Sequence, residues 1–187
     1  MQPGQTSADS VAQLCGSDLH ASEGCSLANG GAKGVAKGEN DAVRVRALRL
    51  LAGREHSAKE LRRKLLAKGH AQPDIEQVIE QVIGELQERG LQSDRRFTEM
   101  YVRSRVGRGY GPIRIRRDLY QRGLDDELID AELTCPAEQW VELAISVRGK
   151  RFAGEQPIDR DAWNTQARFL ARRGFPADLI YRVLGQL

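Results

Sequence analysis

From Val43 to Leu184 the apolar residues of this chain recur at spacings of three and four, the period of a helix that buries one face. Val43, Ala47, Leu50 and Leu51 form the stripe of a first helix, which Gly53 stops. Ser57-Ala58-Lys59-Glu60 reads as a capping box, with Ser57 accepting from the Glu60 amide and Glu60 reaching back. The helix it opens carries Leu61, Leu65 and Leu66, and Gly69 sits where a left-handed residue ends a helix. Pro73 starts a third helix with Ile75, Val78, Ile79, Val82, Ile83 and Leu86 inside, and Gly90 ends it.

The same grammar then repeats. Asp94 reads as the N-cap of a helix carrying Phe97 and Tyr101. Pro112 opens the next helix, which buries Ile115 and Leu119 and ends at Gly123; Asp125 caps another with Ile129 and Leu133. A third round starts at Pro136 with Trp140, Leu143, Ala144 and Val147 as its stripe. A loop is expected from Gly149 to about Pro157. The following helix carries Trp163, Phe169 and Leu170 and stops at Gly174, and the last starts at Pro176 and buries Ile180, Val183 and Leu184.

Aligning Gly69, Gly123 and Gly174 gives the repeat a register. Leu65, Leu119 and Leu170 lie four residues before these glycines, Ile75, Ile129 and Ile180 six after, and Ile79, Leu133 and Leu184 ten after. The glycines are 54 and 51 residues apart, so the unit is three helices long. A period of this size points to an all-α chain of three tandem three-helix repeats stacked as an array. The other reading is three generic helical hairpins that share a common C-cap. The units are expected at about residues 42–90, 94–134 and 136–187 of one repeat domain, 42–187. Residues 1–41 have seven glycines and no apolar periodicity, and are expected to be a disordered tail.

Composition agrees with helices. Only 5% of residues are aromatic, against 40% hydrophobic overall, so the core rests on Leu, Ile, Val and Ala. The first twenty residues contain no Lys or Arg and no apolar run fit for a secretory leader, and no stretch resembles a membrane span. Cys15, Cys25 and Cys135 have no metal-ligand spacing and read as free thiols of a cytoplasmic protein, although Cys15 and Cys25 could also pair.

Charge adds what hydropathy does not. A net charge of +3 conceals alternating blocks: residues 44–68 carry a net +7, 74–94 a net −5, 95–122 a net +7 and 125–142 a net −7. The first two helices of units one and two are thus basic and the third is acidic. Nothing in the chain reads as a catalytic site, and no metal or cofactor is expected. Gly149-Lys150 lacks the upstream glycine of a phosphate-binding loop, and His20, His56 and His70 have no ligand-like partners.

The candidate chemistry is therefore a basic binding surface. Arg103, Arg105, Arg108, Arg114, Arg116, Arg117 and Arg122 crowd around Gly107-Arg108-Gly109-Tyr110-Gly111, with Arg62, Arg63 and Lys64 as a second basic run in unit one. Guanidinium groups bind phosphates or carboxylates bidentately, so such a face could follow a nucleic-acid backbone or dock on an acidic protein. The bland alternative is a solvated face balanced by the acidic helices. Gly107–Gly111 itself reads as a loop before the Pro112 helix, with Tyr110 as a possible stacking residue.

Several of these stretches, taken in order, resemble the RecX family of recombinase regulators. They are Arg54-Glu55-His56-Ser57-Ala58-Lys59-Glu60-Leu61-Arg62-Arg63-Lys64-Leu65, Arg96-Phe97-Thr98-Glu99-Met100-Tyr101-Val102-Arg103-Ser104-Arg105, Gly109-Tyr110-Gly111-Pro112-Ile113-Arg114-Ile115-Arg116 and Arg168-Phe169-Leu170-Ala171-Arg172-Arg173-Gly174-Phe175. The resemblance implies an elongated, curved helical array. It also implies a bacterial cytoplasmic protein that binds the groove of the RecA–DNA filament, opposes its extension and dampens its ATPase, strand-exchange and co-protease activities. The expected partners are the RecA filament and single- or double-stranded DNA, met by a monomer. The alternative is a stand-alone basic DNA-binding protein, which the acidic third helices disfavour. The long N-terminal tail departs from the family pattern.

Overall fold

The computed structural model describes residues 37–67 and 74–185. Among them are nine helices and no strand: α1 (Lys37–Gly53), α2 (Ala58–Leu66), α3 (Ile75–Glu88), α4 (Asp94–Gly107), α5 (Pro112–Tyr120), α6 (Asp126–Leu133), α7 (Ala137–Phe152), α8 (Arg160–Arg173) and α9 (Ala177–Leu184). They fall into two compact units divided within α4, one reaching Phe97 and the other starting at Thr98.

In the unit ending at Phe97, α1, α2 and α3 pack around Val43, Ala47, Leu61, Leu65, Ile79 and Val82. Ser57 caps α2, its hydroxyl accepting from the Glu60 amide at 3.1 Å. The acidic α3 and the basic helices before it are joined by ion pairs, Arg44 with Glu85 and Arg62 with Glu80. Below them lies a buried polar layer. Gln92 Nε2 donates to the His56 carbonyl at 3.1 Å and to Asp94 Oδ1 at 2.8 Å, and that same oxygen accepts from the Ala58 amide at 2.8 Å.

Asp94 is therefore not the N-cap of α4. That role falls to Ser93, whose Oγ accepts from the Arg96 amide at 3.3 Å, while the Asp94 carboxylate turns to the start of α2. The first helix also begins at Lys37, before the Ala42 at which apolar periodicity sets in. Gly69 and Pro73 lie outside the described residues, as do His20, His70, Cys15, Cys25 and most of the expected tail.

In the unit from Thr98, α7, α8 and α9 pack against one another, and α5 packs on α6. The aligned columns are all interior: Leu65, Leu119 and Leu170 are each 0% exposed, and the six isoleucine and leucine positions after the glycines are buried too. Burying each such leucine contributes about 2 kcal/mol. Gly123 (φ +80°) and Gly174 (φ +91°) both adopt the left-handed turn their spacing predicts. Asp125 caps α6, accepting from the Leu128 amide at 2.7 Å.

Gly149 does not open a loop. Helix α7 runs through it to Phe152, and the chain leaves the helix at Ala153, which takes φ +53°. The extension is held by Arg148, buried to 4% exposure, whose guanidinium donates to Gln156 Oε1 at 2.9 Å and to the Gly154 carbonyl at 3.1 Å. That contact folds the loop back under the helix end.

Candidate partner-binding surface

In the unit from Thr98, arginines and aromatic rings alternate. Tyr101 on α4 is buried, with its hydroxyl 3.1 Å from Asp118 Oδ2. The guanidinium carbons of Arg105 and Arg122 lie 4.7 and 4.6 Å from its ring centroid. Burial pushes the phenol above its ordinary value despite the hydrogen bond with Arg105, so it stays a neutral donor. Arg105 also faces Tyr110 at 5.5 Å, where Arg114 (4.6 Å) and Arg173 (5.3 Å) converge on the same ring. Arg173 lies 5.3 Å from Phe169, Phe169 meets Phe152 edge-on at 5.4 Å, and Arg151 sits 5.4 Å from Phe152.

Two rungs share one local cause. Tyr101 and Arg105 on α4, and Phe169 and Arg173 on α8, are each four residues apart, the spacing that puts two side chains on one helix face. Each such contact stabilises by about 0.5–1 kcal/mol when exposed. More usefully, a guanidinium resting on a ring is held in a fixed place from which remaining N–H groups can meet phosphate or carboxylate.

A close backbone contact holds the ladder together. The amides of Gly111 and Ile113, at the N-terminus of α5, donate to the carbonyls of Arg173 (2.9 Å) and Gly174 (3.1 Å), at the C-terminus of α8. Arg114 Nη1 adds a bond to the Arg172 carbonyl at 3.2 Å, and Arg173 Nη1 returns one to the Arg108 carbonyl at 2.8 Å. Unsatisfied amides of one helix thus meet unsatisfied carbonyls of another, the positive end of one dipole at the negative end of the other. The expected loop before Pro112 is Arg108–Gly111, with Gly107 still the last residue of α4, and it is also this docking element.

Beside the ladder lies a cleft of about 220 Å³ between the end of α4 and helices α7 and α8. Val106, Leu143, Val147 and Phe169 form its apolar part. Arg108, Lys150, Arg151 and Arg173 line it as well, with no carboxylate among the lining residues. Among the described residues, no group of His, Cys, Asp and Glu could hold a metal ion, and no helix is long and apolar enough to cross a membrane.

Three family models match in order along the chain: the first, second and third three-helix domains of RecX match residues 44–81, 93–133 and 137–184. A regulatory protein RecX from Halorhodospira halophila is 46% identical over 141 residues, which is 75% of this chain and 85% of that protein. This chain belongs to the RecX family. The RecX regulatory proteins of Pseudomonas putida (44% identical over 143 residues, 76% of this chain and 89% of theirs) and Xanthomonas oryzae (45% over 136 residues, 72% and 82%) are similar relatives. The crystal structure of RecX from Lactobacillus salivarius shares the fold, with a TM-score of 0.65 at 23% identity over 79% of this chain and 96% of that one.

Within this RecX-family fold the arginines singled out in the sequence divide into classes. Arg105, Arg114 and Arg122 stand in the ladder. Arg103, Arg108 and Arg117 are exposed; Arg117 lies 3.8 Å from Asp118, and Arg103 and Arg108 have no carboxylate partner among the described residues. Arg116 is paired with Asp130 on α6. Arg62, seven residues before its own repeat glycine as Arg116 is before Gly123, is paired in the same way with Glu80 on α3, and that bond raises its pKa above the ordinary value. These two pairs explain the charge blocks: the basic second helix of a unit binds its acidic third helix. Arg63 is exposed and Lys64 half-buried in the unit ending at Phe97. Lys150, Arg151 and Arg173, with the rings of Phe152 and Phe169, are site features that arginine density alone did not single out. For Phe169 and Arg173 the aromatic-to-arginine spacing of four was the visible signal.

Proposed function

We propose that this chain is a non-enzymatic, cytoplasmic regulator that binds the RecA–DNA filament as a monomer and restrains its extension, ATP hydrolysis, strand exchange and co-protease activity. Membership of a family of regulatory proteins supports the class of function. The observation that carries the finer reading is the ladder from Arg122 to Arg151, a band of arginines positioned on aromatic rings. Such a band attracts an acidic or phosphate-bearing partner, and the attraction falls as salt shortens its range below about 10 Å.

The decisive experiment is RecA's DNA-dependent ATP hydrolysis at substoichiometric ratios of this protein. Inhibition that saturates well below one protein per RecA subunit is expected, and unchanged hydrolysis at every ratio overturns the reading. A stand-alone DNA-binding role is disfavoured because α3 and α6, the third helices of their units, contain acids and no base. Sequence-specific binding to bare duplex DNA at physiological salt would favour that role instead.

A further inference from the structure

We propose that the cleft between α4, α7 and α8 seats a short acidic, aliphatic peptide segment of a partner protein. The inference rests on the regulatory reading above and names the chemistry that one part of its surface recognises. Charge sets the first requirement. Arg108, Lys150, Arg151 and Arg173 line the cleft with no carboxylate among them, so its occupant is an anion. Arg173 is already held in place by the Arg108 carbonyl at 2.8 Å, so its guanidinium loses little freedom on meeting a carboxylate.

The apolar side of the cleft decides between a peptide and a nucleotide. Val106, Leu143 and Val147 are aliphatic, and they suit a leucine or valine side chain. The one aromatic ring in the lining, Phe169, has Arg173 over it at 5.3 Å and Phe152 at right angles to it at 5.4 Å. A nucleobase gains most of its sequence-tolerant binding by stacking on an open ring, and this ring is already engaged. Size points the same way: about 220 Å³ is below the roughly 300 Å³ at which whole-ligand pockets begin. It fits a few side chains of a peptide better than a complete cofactor. The cleft wall is also firm, since a Cβ on Gly109 would lie 2.5 Å from Val147 Cγ2. The loop is seated directly on the side chain below it.

The test uses the full chain and a fluorescein-labelled hexapeptide of alternating leucine and aspartate, read by anisotropy at physiological salt. Saturable binding is expected, weakened about tenfold by the double variant Lys150→Glu, Arg151→Glu. It should weaken similarly when serine replaces every leucine in the peptide. Ser146→Trp, which fills the cleft without altering its charge, should also abolish binding. Equal binding of the serine peptide would overturn the proposal, because charge alone would then suffice. So would a labelled oligothymidylate that binds more tightly and is lost in the same variants, which would make the cleft a nucleic-acid seat. If the double variant loses helicity, the leucine and serine peptides on the unmodified protein still decide. Failure of peptide binding with RecA inhibition intact removes this inference alone, whereas absence of RecA inhibition removes the reading beneath it.

Discussion

A Cβ atom on Gly111 would lie 2.5 Å from the carbonyl oxygen of Gly174, and one on Gly174 would lie 2.4 Å from Cβ of Arg114. Two backbones that close can only be glycine at both points. The consequence is testable because the same unit contains a control: Gly154 is also left-handed (φ +79°) but has nothing within 4 Å of its missing Cβ. Gly154→Ala should therefore cost only the left-handed strain, about 1–2 kcal/mol. Gly174→Ala adds an overpacked contact with backbone and should cost about 2–4 kcal/mol. Gly111→Ala, with ordinary φ, should cost about 1–3 kcal/mol from the clash alone. Urea denaturation followed by circular dichroism measures all three, and equal losses at Gly154 and Gly174 would show that the joint tolerates a methyl group.

His56 gives the unit ending at Phe97 a dependence on pH. It is 2% exposed, and burial lowers its pKa below the ordinary 6.5. The hydrogen bond to Glu60 Oε2 at 3.3 Å works against that shift, while Arg54 and Lys64 reinforce it. A base whose folded pKa is depressed binds its proton more readily in the unfolded chain. Its contribution is fully present above the unfolded pKa and is lost as pH falls through 6.5 toward the lower folded value. The urea midpoint of this unit should drop between about pH 7.5 and pH 5.5. His56→Gln should flatten that part of the profile, whatever it does to stability at neutral pH. An unchanged slope would place the titration elsewhere.

How much of this was legible in the sequence depends on how local each cause is. The interior columns were readable because each is set by its own helix: Leu65, Leu119 and Leu170 are buried where a period of 3.6 puts them. Asp125 was readable as a cap for the same reason. Asp94 was not, because its carboxylate is claimed by Ala58 and Gln92 across the unit, leaving the cap to Ser93. Gly149 looked like a helix stop, yet the Arg148 bonds to Gly154 and Gln156 carry α7 past it. The basic surface followed the same rule. Arginine density located Arg105, Arg114 and Arg122, but Arg173 joins them through tertiary bonds, its carbonyl accepting from the Gly111 amide and its guanidinium donating to the Arg108 carbonyl. Arginine count also could not separate Arg116, bound to Asp130, from Arg103, which has no carboxylate partner among the described residues.

That separation yields the prediction that bears most directly on function. Arg114 contributes to structure: its guanidinium lies over Tyr110, its Nη1 binds the Arg172 carbonyl, and its Cβ touches the space above Gly174. Arg114→Glu should lower the denaturation midpoint, because it puts a carboxylate against the carbonyls at the negative end of α8. Arg103, Arg108 and Arg117 are exposed, so reversing each to Glu should change stability by no more than about 0.5 kcal/mol. If these side chains face the filament, the triple variant with all of them reversed should nevertheless need about tenfold more protein to inhibit RecA's ATP hydrolysis, and its deficit should shrink as salt rises. Arg116→Glu is the intermediate case, since its exposed pair with Asp130 is worth at most about 1 kcal/mol. Tyr110 supplies an internal check on the ladder. Tyr110→Phe keeps the ring under Arg105, Arg114 and Arg173 and should preserve inhibition, while Tyr110→Ala frees all three and should weaken it. Full inhibition by Tyr110→Ala, with the triple variant impaired, would mean that charge matters on this face and the positioning of arginines on rings does not.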